Sequence, residues 1–286
     1  MARPLDLGRP GDAVGRLIEL ALAEDVGPGD LTANAVVPAG ARGSGLVFAK
    51  ESLVVSGVSA AARVFRALDP ECALEPLKSE GDAAEPGEGI LRIRGSLRAI
   101  LTGERTALNL LQRLCGVATL TRRYAAALHG TKTRLLDTRK TTPGLRALEK
   151  AAVRAGGGLN HRGALFDGIL VKDNHAAAAG GIGEAVRRAR AAGHPLLKVE
   201  AEVSTPEQIE EALQAGADLL LLDNLDDAAL RKAVEQVRGR APLEASGNMS
   251  LARLPNVAAA GVDYVSVGAL THSAPSVDLS LLVEGA

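Results

Sequence analysis

Apolar residues recur at helical spacing through Arg16–Asp25 (RLIELALAED), which predicts a helix ended by Gly27-Pro28-Gly29. The pattern then shortens. Gly45–Ser56 and Gly89–Arg94 alternate β-branched and polar residues around glycines and predict strands, while Ser79–Gly89 (SEGDAAEPGEG) is polar, turn-rich loop. This first part predicts a small α/β or sandwich-like domain. Leu108, Leu111, Cys115 and Ala118 recur at three- and four-residue steps along Glu104–His129, a long helix placed to join two domains. Beyond it, strand and helix alternate. Strands begin near Thr133, Gly168, Leu196, Asp218, Pro242 and Asp263; helices span Leu145–Ala155, Ile182–Ala192, Pro206–Ala215, Asp226–Val237 and Ser250–Ala260. Short connections between alternating elements imply a parallel sheet. No dinucleotide-type glycine signature follows the first strand, which favours barrel closure, and too few units are present for a regular eight-fold barrel. The expected fold class is therefore α/β, with an irregular, incomplete (β/α) barrel as the second domain.

The ends of these strands are polar. In order they run into Asp137-Thr138-Arg139-Lys140, Lys172-Asp173-Asn174-His175, Glu200 and Glu202, Asp223-Asn224, Glu244 with Ser246-Gly247-Asn248, and Gly268 with His272. One polar strand end is ordinarily a helix cap. Six in succession, with Lys and Glu among them, point to a site at the C-terminal face, where α/β barrels bind ligands. Lys198, Glu200 and Glu202 share one strand face by period two, and charge on an inner face requires a partner or a metal. Glu202 and Asp223 on adjacent strands can hold Mg²⁺ or accept from sugar hydroxyls. Ser246-Gly247-Asn248 before a helix offers backbone N–H groups to a phosphate, and Gly268-Ala269-Leu270 can complete that cradle.

Charge and composition narrow the ligand. Between Asp137 and His175, seven Lys/Arg face four Asp/Glu, in a chain of formal net charge −1. A local cationic pocket without a global basic footprint asks for a small, multiply anionic substrate. Aromatic content of 2% and the absence of Trp leave little surface for stacking bases, so no nucleic acid is expected. Two cysteines form no disulfide framework and no zinc-ligand spacing, and Cys115 reads as core. The start, MARPLDLGRPGD, has no signal-peptide run and no segment approaches a membrane span, so a soluble, cytoplasmic protein is expected. Arg146, Lys150 and Arg154 form an i, i+4, i+8 row that reads as a solvated helix face. The triple glycine Gly156-Gly157-Gly158 reads either as a C-cap and turn or as backbone that approaches a ligand or moves.

EDVGPGDLT (24–32), GERTALNLL (103–111), DTRKTTPGLRALEKAAVRAGGGLNHR (137–162), VKDNH (171–175), LLDN (221–224), SGN and VGALTHS (267–273) together resemble the quinolinate phosphoribosyltransferases, of the type II phosphoribosyltransferase family. The likeness runs nearly the whole chain in order, and its 137–162 block is highly specific. Ala152 stands where the family often has Tyr, and SGNMS is one of several variants of the phosphate loop. The resemblance implies an N-terminal α/β sandwich domain (1–115, rejoined by the tail 275–286) and a barrel domain (116–274), assembled as a homodimer or higher oligomer. It implies a pentosyltransferase that joins quinolinate to phosphoribosyl pyrophosphate with Mg²⁺, giving nicotinate mononucleotide, pyrophosphate and CO₂ on the route to NAD. Lys140, Lys172, Glu202 and Asp223 would be catalytic. Arg105, reaching across the dimer, would bind quinolinate with Arg139, His161 and Arg162. Glu202 and Asp223 would hold Mg²⁺, directly or indirectly. Ser246, Gly247, Asn248, Gly268 and His272 would hold the 5′-phosphate. The chemistry agrees with the residue types, because an adjacent dicarboxylate needs several cations and an Arg fork binds carboxylate bidentately. The competing reading is a divergent or non-catalytic barrel that binds another dianionic aromatic acid.

Overall fold

The computed structural model describes residues 12–284. The segment read for a signal peptide therefore lies outside the described residues except for Asp12. In chain order the elements are α1 (Ala13–Val26), α2 (Leu31–Val36), β1 (Arg42–Ala49), β2 (Leu53–Val54), α3 (Val58–Leu68), β3 (Ala73–Pro76), β4 (Ala83–Ala84), β5 (Gly89–Ser96) and α4 (Leu97–Ala127). There follow β6 (Arg134–Leu136), α5 (Arg146–Ala155), β7 (Ile169–Val171), α6 (Asp173–Ala179), α7 (Ile182–Ala192), β8 (Val199–Val203) and α8 (Pro206–Gln214). The last are β9 (Leu219–Asp223), α9 (Asp227–Val237), β10 (Leu243–Ser246), α10 (Leu254–Ala260), β11 (Tyr264–Ser266), α11 (Ala269–His272) and β12 (Leu279–Glu284). Among the described residues no helix is long and apolar enough to cross a membrane.

Among the described residues two compact units result: 12–119 with Thr142–Gly156 and 274–284, and Leu120–Thr141 with Gly157–Ser273. The first holds an antiparallel sheet of order β12-β1-β5-β3, so the C-terminal strand pairs with β1. Gly45, Val47 and Ala49 alternate inward along β1, and Ile90, Leu91 and Ile93 of β5 are fully buried with Phe65 of α3. Helix α3 begins at Gly57 (φ 94), where the Glu80 carboxylate accepts the Gly57 and Val58 N–H groups. Periodicity did not foretell it, because VSAAARV is a short apolar run that suits strand and helix equally. Cys115 is a core residue: its thiol donates to Ser56 O, and burial pushes its pKa up to about 12.

Helix α5 corrects two expectations. Thr142–Gly156 belongs with the first unit rather than with a continuous 116–274. Glu149, fully buried, anchors it there by accepting from Arg113 Nε and Nη2 and from the Thr142 N–H and hydroxyl. Lys150 is only 5% exposed, so the expected solvated row fails at its centre, although Arg154 is exposed.

The second unit is a parallel sheet of order β6-β11-β10-β9-β8-β7. Sequential neighbours with the first strand beside the last is barrel order. The ring is open between β6 and β7, where Leu159 alone bridges β6: its N–H donates to Leu135 O, and Asp137 N–H donates to its carbonyl. The fold is thus an irregular, incomplete barrel. Its strands start within one to three residues of the expected points, since each runs within one residue of its start into buried Leu or Val. Thr205 and Asp226 cap α8 and α9 through their side-chain oxygens. Helix α10 starts four residues later than Ser250, because 250–253 forms a turn first.

Candidate functional site

A cavity of about 1040 Å³ opens at the C-terminal ends of the parallel strands, lined entirely by residues of the second unit. Arg139, Lys140, His161, Arg162, Lys172, Glu202, Asp223, Ser246, Gly247, Asn248, Gly268 and His272 all line it. Arg105, also expected at the site, is an exposed residue of α4 in the first unit and is not among the lining residues.

One wall is cationic. Arg139 follows β6, and its Nε is buried with no hydrogen-bond partner. Arg162 is half-buried and Nη1 donates to Gly168 O at 2.9 Å. Burial, and then the like charge of Arg139, pull its pKa below the ordinary guanidinium value. Two guanidinium groups lining one cavity and acting on each other's charge favour an anion there. Asp137, fully buried, orders the loop behind them by accepting from Asn160 Nδ2 (2.6 Å) and His161 N–H (2.8 Å). His161 Nδ1 accepts the Arg162 N–H at 2.7 Å and Nε2 faces Glu200 Oε2 at 2.9 Å.

Strands β8 and β9 bring carboxylates to the same cavity. Glu202 of β8 pairs with Lys172 at 2.8 Å. Asp223 ends the adjacent β9 and accepts from Asn224 Nδ2 at 2.7 Å. Both are hard oxygen donors in the cavity wall, a set that suits Mg²⁺ completed by water and phosphate oxygens. A second cluster lies at the floor, where ligand atoms of His161, Glu200 and Glu244 all fall within 4.8 Å of one another.

The rim between β9 and β10 is built for close backbone approach. Asn224 and Asn248 both adopt positive φ (54° and 51°) and Gly247 has φ 87°. A Cβ at Gly247 would fall 2.1 Å from Asn224 Oδ1. Gly268 lies against Lys140: a Cβ there would meet Lys140 Cδ at 2.9 Å, so the Lys140 side chain would have to shift. Arg253 ties the loops together, with Nε on Asp227 (3.0 Å) and Nη1 donating to Gly247 O (3.3 Å).

This arrangement sits in a chain whose residues 117–282 match the model of the quinolinate phosphoribosyl transferase C-terminal domain, and whose residues 30–115 match the N-terminal domain of the same enzyme. The chain belongs to the quinolinate phosphoribosyltransferase family. It is 42% identical over 266 residues to a probable nicotinate-nucleotide pyrophosphorylase [carboxylating] of Bacillus subtilis (strain 168), covering 93% of this chain and 92% of that one. To the nicotinate-nucleotide pyrophosphorylase [carboxylating] of Mycobacterium leprae (strain TN) it is 42% identical, covering 94% and 97%. The solved NadC from Streptococcus pyogenes superposes with a TM-score of 0.90 at 39% identity, over 97% of this chain and 99% of that one. The nicotinate-nucleotide pyrophosphorylase from Francisella tularensis gives 0.91 at 39% identity, over 97% and 98%.

In this quinolinate phosphoribosyltransferase fold the polar strand ends located Asp137 and Glu244 but not their roles. Asp137 is buried and orders the His161 loop, Glu244 forms a cluster with Glu200 and His161, and Arg253 staples the glycine rim. Arg253 alone escaped the sequence reading, because its pairing with Asp227 is made only in the fold. His175 is turned aside, accepting the Lys172 N–H at Nδ1, and does not line the cavity. The triple glycine is a helix end and turn: Gly156 caps α5, and Gly157 takes φ 97°, where a Cβ would meet Ala125 Cβ at an ordinary 3.7 Å.

Proposed function

We propose that the chain transfers phosphoribose from phosphoribosyl pyrophosphate to quinolinate with decarboxylation, giving nicotinate mononucleotide, pyrophosphate and CO₂. The observation that carries this reading is one cavity that holds two guanidinium groups and an imidazole, the carboxylates of β8 and β9, and a glycine rim. Quinolinate carries adjacent carboxylates, and Arg139 and Arg162 hold them as paired forks with His161 beneath. Its ring nitrogen is thereby fixed against the anomeric carbon, so positioning supplies much of the rate. The ribose acquires oxocarbenium character as the C–O bond to pyrophosphate breaks, and Glu202 and Asp223 stabilise that charge through the ribose hydroxyls. Lys140 and Lys172 offset the charge leaving with pyrophosphate. The nitrogen lone pair forms the new C–N bond and the ring becomes pyridinium. The bond to the adjacent carboxylate then breaks, CO₂ leaves, and the electron pair stays on the ring carbon beside the cationic nitrogen until a proton replaces it. No covalent enzyme intermediate is needed.

Ser246, Gly247, Asn248 and Gly268 cradle the 5′-phosphate with backbone N–H groups, and His272 lies at the same end. Mg²⁺, held through Glu202 and Asp223, neutralises diphosphate charge when bound. The enzyme works as a homodimer, in which Arg105 of one subunit completes the site of its partner, and it acts in the cytoplasm in NAD biosynthesis. The test is substrate choice. With phosphoribosyl pyrophosphate and Mg²⁺, quinolinate is consumed and nicotinate, lacking the second carboxylate, is not. Equal use of nicotinate would defeat the dicarboxylate assignment.

A further inference from the structure

Beneath the cationic wall lie two buried carboxylates that the reaction as described does not use. Glu200 of β8 is 6% exposed and Glu244 of β10 is fully buried. Glu200 Oε1 and both carboxylate oxygens of Glu244 have no hydrogen-bond partner, and the two groups share one small space with His161. Unpartnered buried acceptors are rare and carry a desolvation penalty. Two ionised carboxylates here would also cancel the two guanidinium charges that face the cavity.

The imidazole decides what relieves the charge. His161 Nδ1 accepts the Arg162 backbone N–H, so it holds no proton. A neutral ring then carries its proton on Nε2, which donates to Glu200 Oε2 at 2.9 Å and lies 3.6 Å from Glu244 Oε2. A cation bound by this cluster would need a lone pair on Nε2 as well, which only an imidazolate offers. The remaining means of neutralisation is a proton shared by the carboxylate pair.

We propose that Glu244 is a positioning residue that stays protonated during turnover: its neutral acid, packed against Glu200 and His161, locks His161 in one tautomer and leaves the quinolinate wall net cationic. This rests on the functional reading above. The surroundings place the proton on Glu244: Glu200 Oε2 already has the His161 Nε2–H at 2.9 Å, whereas both Glu244 oxygens are buried without a hydrogen-bond donor. Around Glu244 the facing groups are Glu200 from β8 and His161 from the loop before β7, while register sets Leu221 of β9 and Tyr264 of β11 beside it, with Ser266 at the cavity. Burial, then the charge of Glu200, push the Glu244 pKa up to about 8, against the opposing pull of His161 and of the Ser266 side chain. Ionisation above that point adds a second negative charge next to the dicarboxylate.

The experiment measures KM for quinolinate and kcat separately, from about one pH unit below to about two above the Glu244 pKa of about 8. In the unaltered enzyme KM is expected to rise above the inflection by up to about tenfold per unit, with a smaller change in kcat. Glu244→Gln, isosteric and permanently neutral, should hold KM flat across the range. Glu200→Gln removes the like charge and should move the inflection to lower pH. Infrared difference spectra across the same titration should show the carbonyl band of a protonated carboxylic acid in the unaltered enzyme and its loss in Glu244→Gln. An inflection that persists in Glu244→Gln, or one that does not move in Glu200→Gln, overturns the proposal. So does tight zinc binding by the unaltered enzyme that Glu244→Gln abolishes. If Glu244→Gln does not fold, the Glu200→Gln shift and the infrared band of the unaltered enzyme decide. If quinolinate is not turned over at any pH, the functional reading fails alone, and the infrared band still reports the proton.

Discussion

Replacing Arg139 with Leu separates binding from stability more cleanly than any other change in the cavity. Its guanidinium lines the anion wall, and Nε is buried with no hydrogen-bond partner in the protein. An unsatisfied buried donor costs about 1–3 kcal/mol, so its removal should leave the free protein as stable as before or slightly more stable. The same group is the donor that meets a substrate carboxylate. Losing a bidentate charge-assisted pair, and leaving the carboxylate buried opposite Arg162 alone, costs about 2–5 kcal/mol, a drop in quinolinate affinity of roughly 30- to several-thousand-fold. Arg162 differs: its Nη1 already donates to Gly168 O, so Arg162→Leu should lose both affinity and stability. Titration calorimetry with quinolinate and denaturant unfolding on the same preparations check both quantities. Unchanged quinolinate affinity with a destabilised Arg139→Leu protein would refute the reasoning, since it would make Arg139 a structural residue.

Three further outcomes follow from particular contacts. Gly247→Ala forces a side chain at φ 87° against Asn224 Oδ1, about 1–3 kcal/mol of strain at the rim, and should raise KM for phosphoribosyl pyrophosphate while leaving quinolinate affinity unchanged. Glu244 has a folded pKa of about 8 against an ordinary value of 4.5, so the folded state binds more protons between them. Its contribution is full below about pH 4.5 and is lost as pH rises through about 8; Glu244→Gln should flatten that part of the urea-measured stability profile by a few kcal/mol. Mixing Arg105→Ala subunits with Lys172→Ala subunits should restore part of the activity that each lacks, because a hybrid dimer would contain one intact site; no recovery after subunit exchange is shown would reject the shared site.

What could be read from the chain follows the range of each interaction. Strands β6 to β11 were legible because each is a short buried run between turns, and their polar ends marked the cavity. Lys172, Glu202 and Asp223 were found this way, each at the end of its own strand. The seam between β6 and β7 was not legible, because Leu159 joins β6 by one bridge that leaves no periodic trace. Helix α3 was hidden by an apolar run without period. Lys150 misled because an i, i+4, i+8 row states which residues share a face, not what covers it. Glu149 and Arg113 lie 36 residues apart, and Glu200 and Glu244 meet only once β8 and β10 take their places in the sheet. Pairings of that kind depend on tertiary packing and have no local signature.

The central claim is that this cavity couples phosphoribosyl transfer to decarboxylation of quinolinate. Purified protein with Mg²⁺, phosphoribosyl pyrophosphate and quinolinate labelled in the carboxylate next to the ring nitrogen should release labelled CO₂, pyrophosphate and nicotinate mononucleotide in equal amounts. Tight quinolinate binding with neither CO₂ nor nucleotide formed would contradict it.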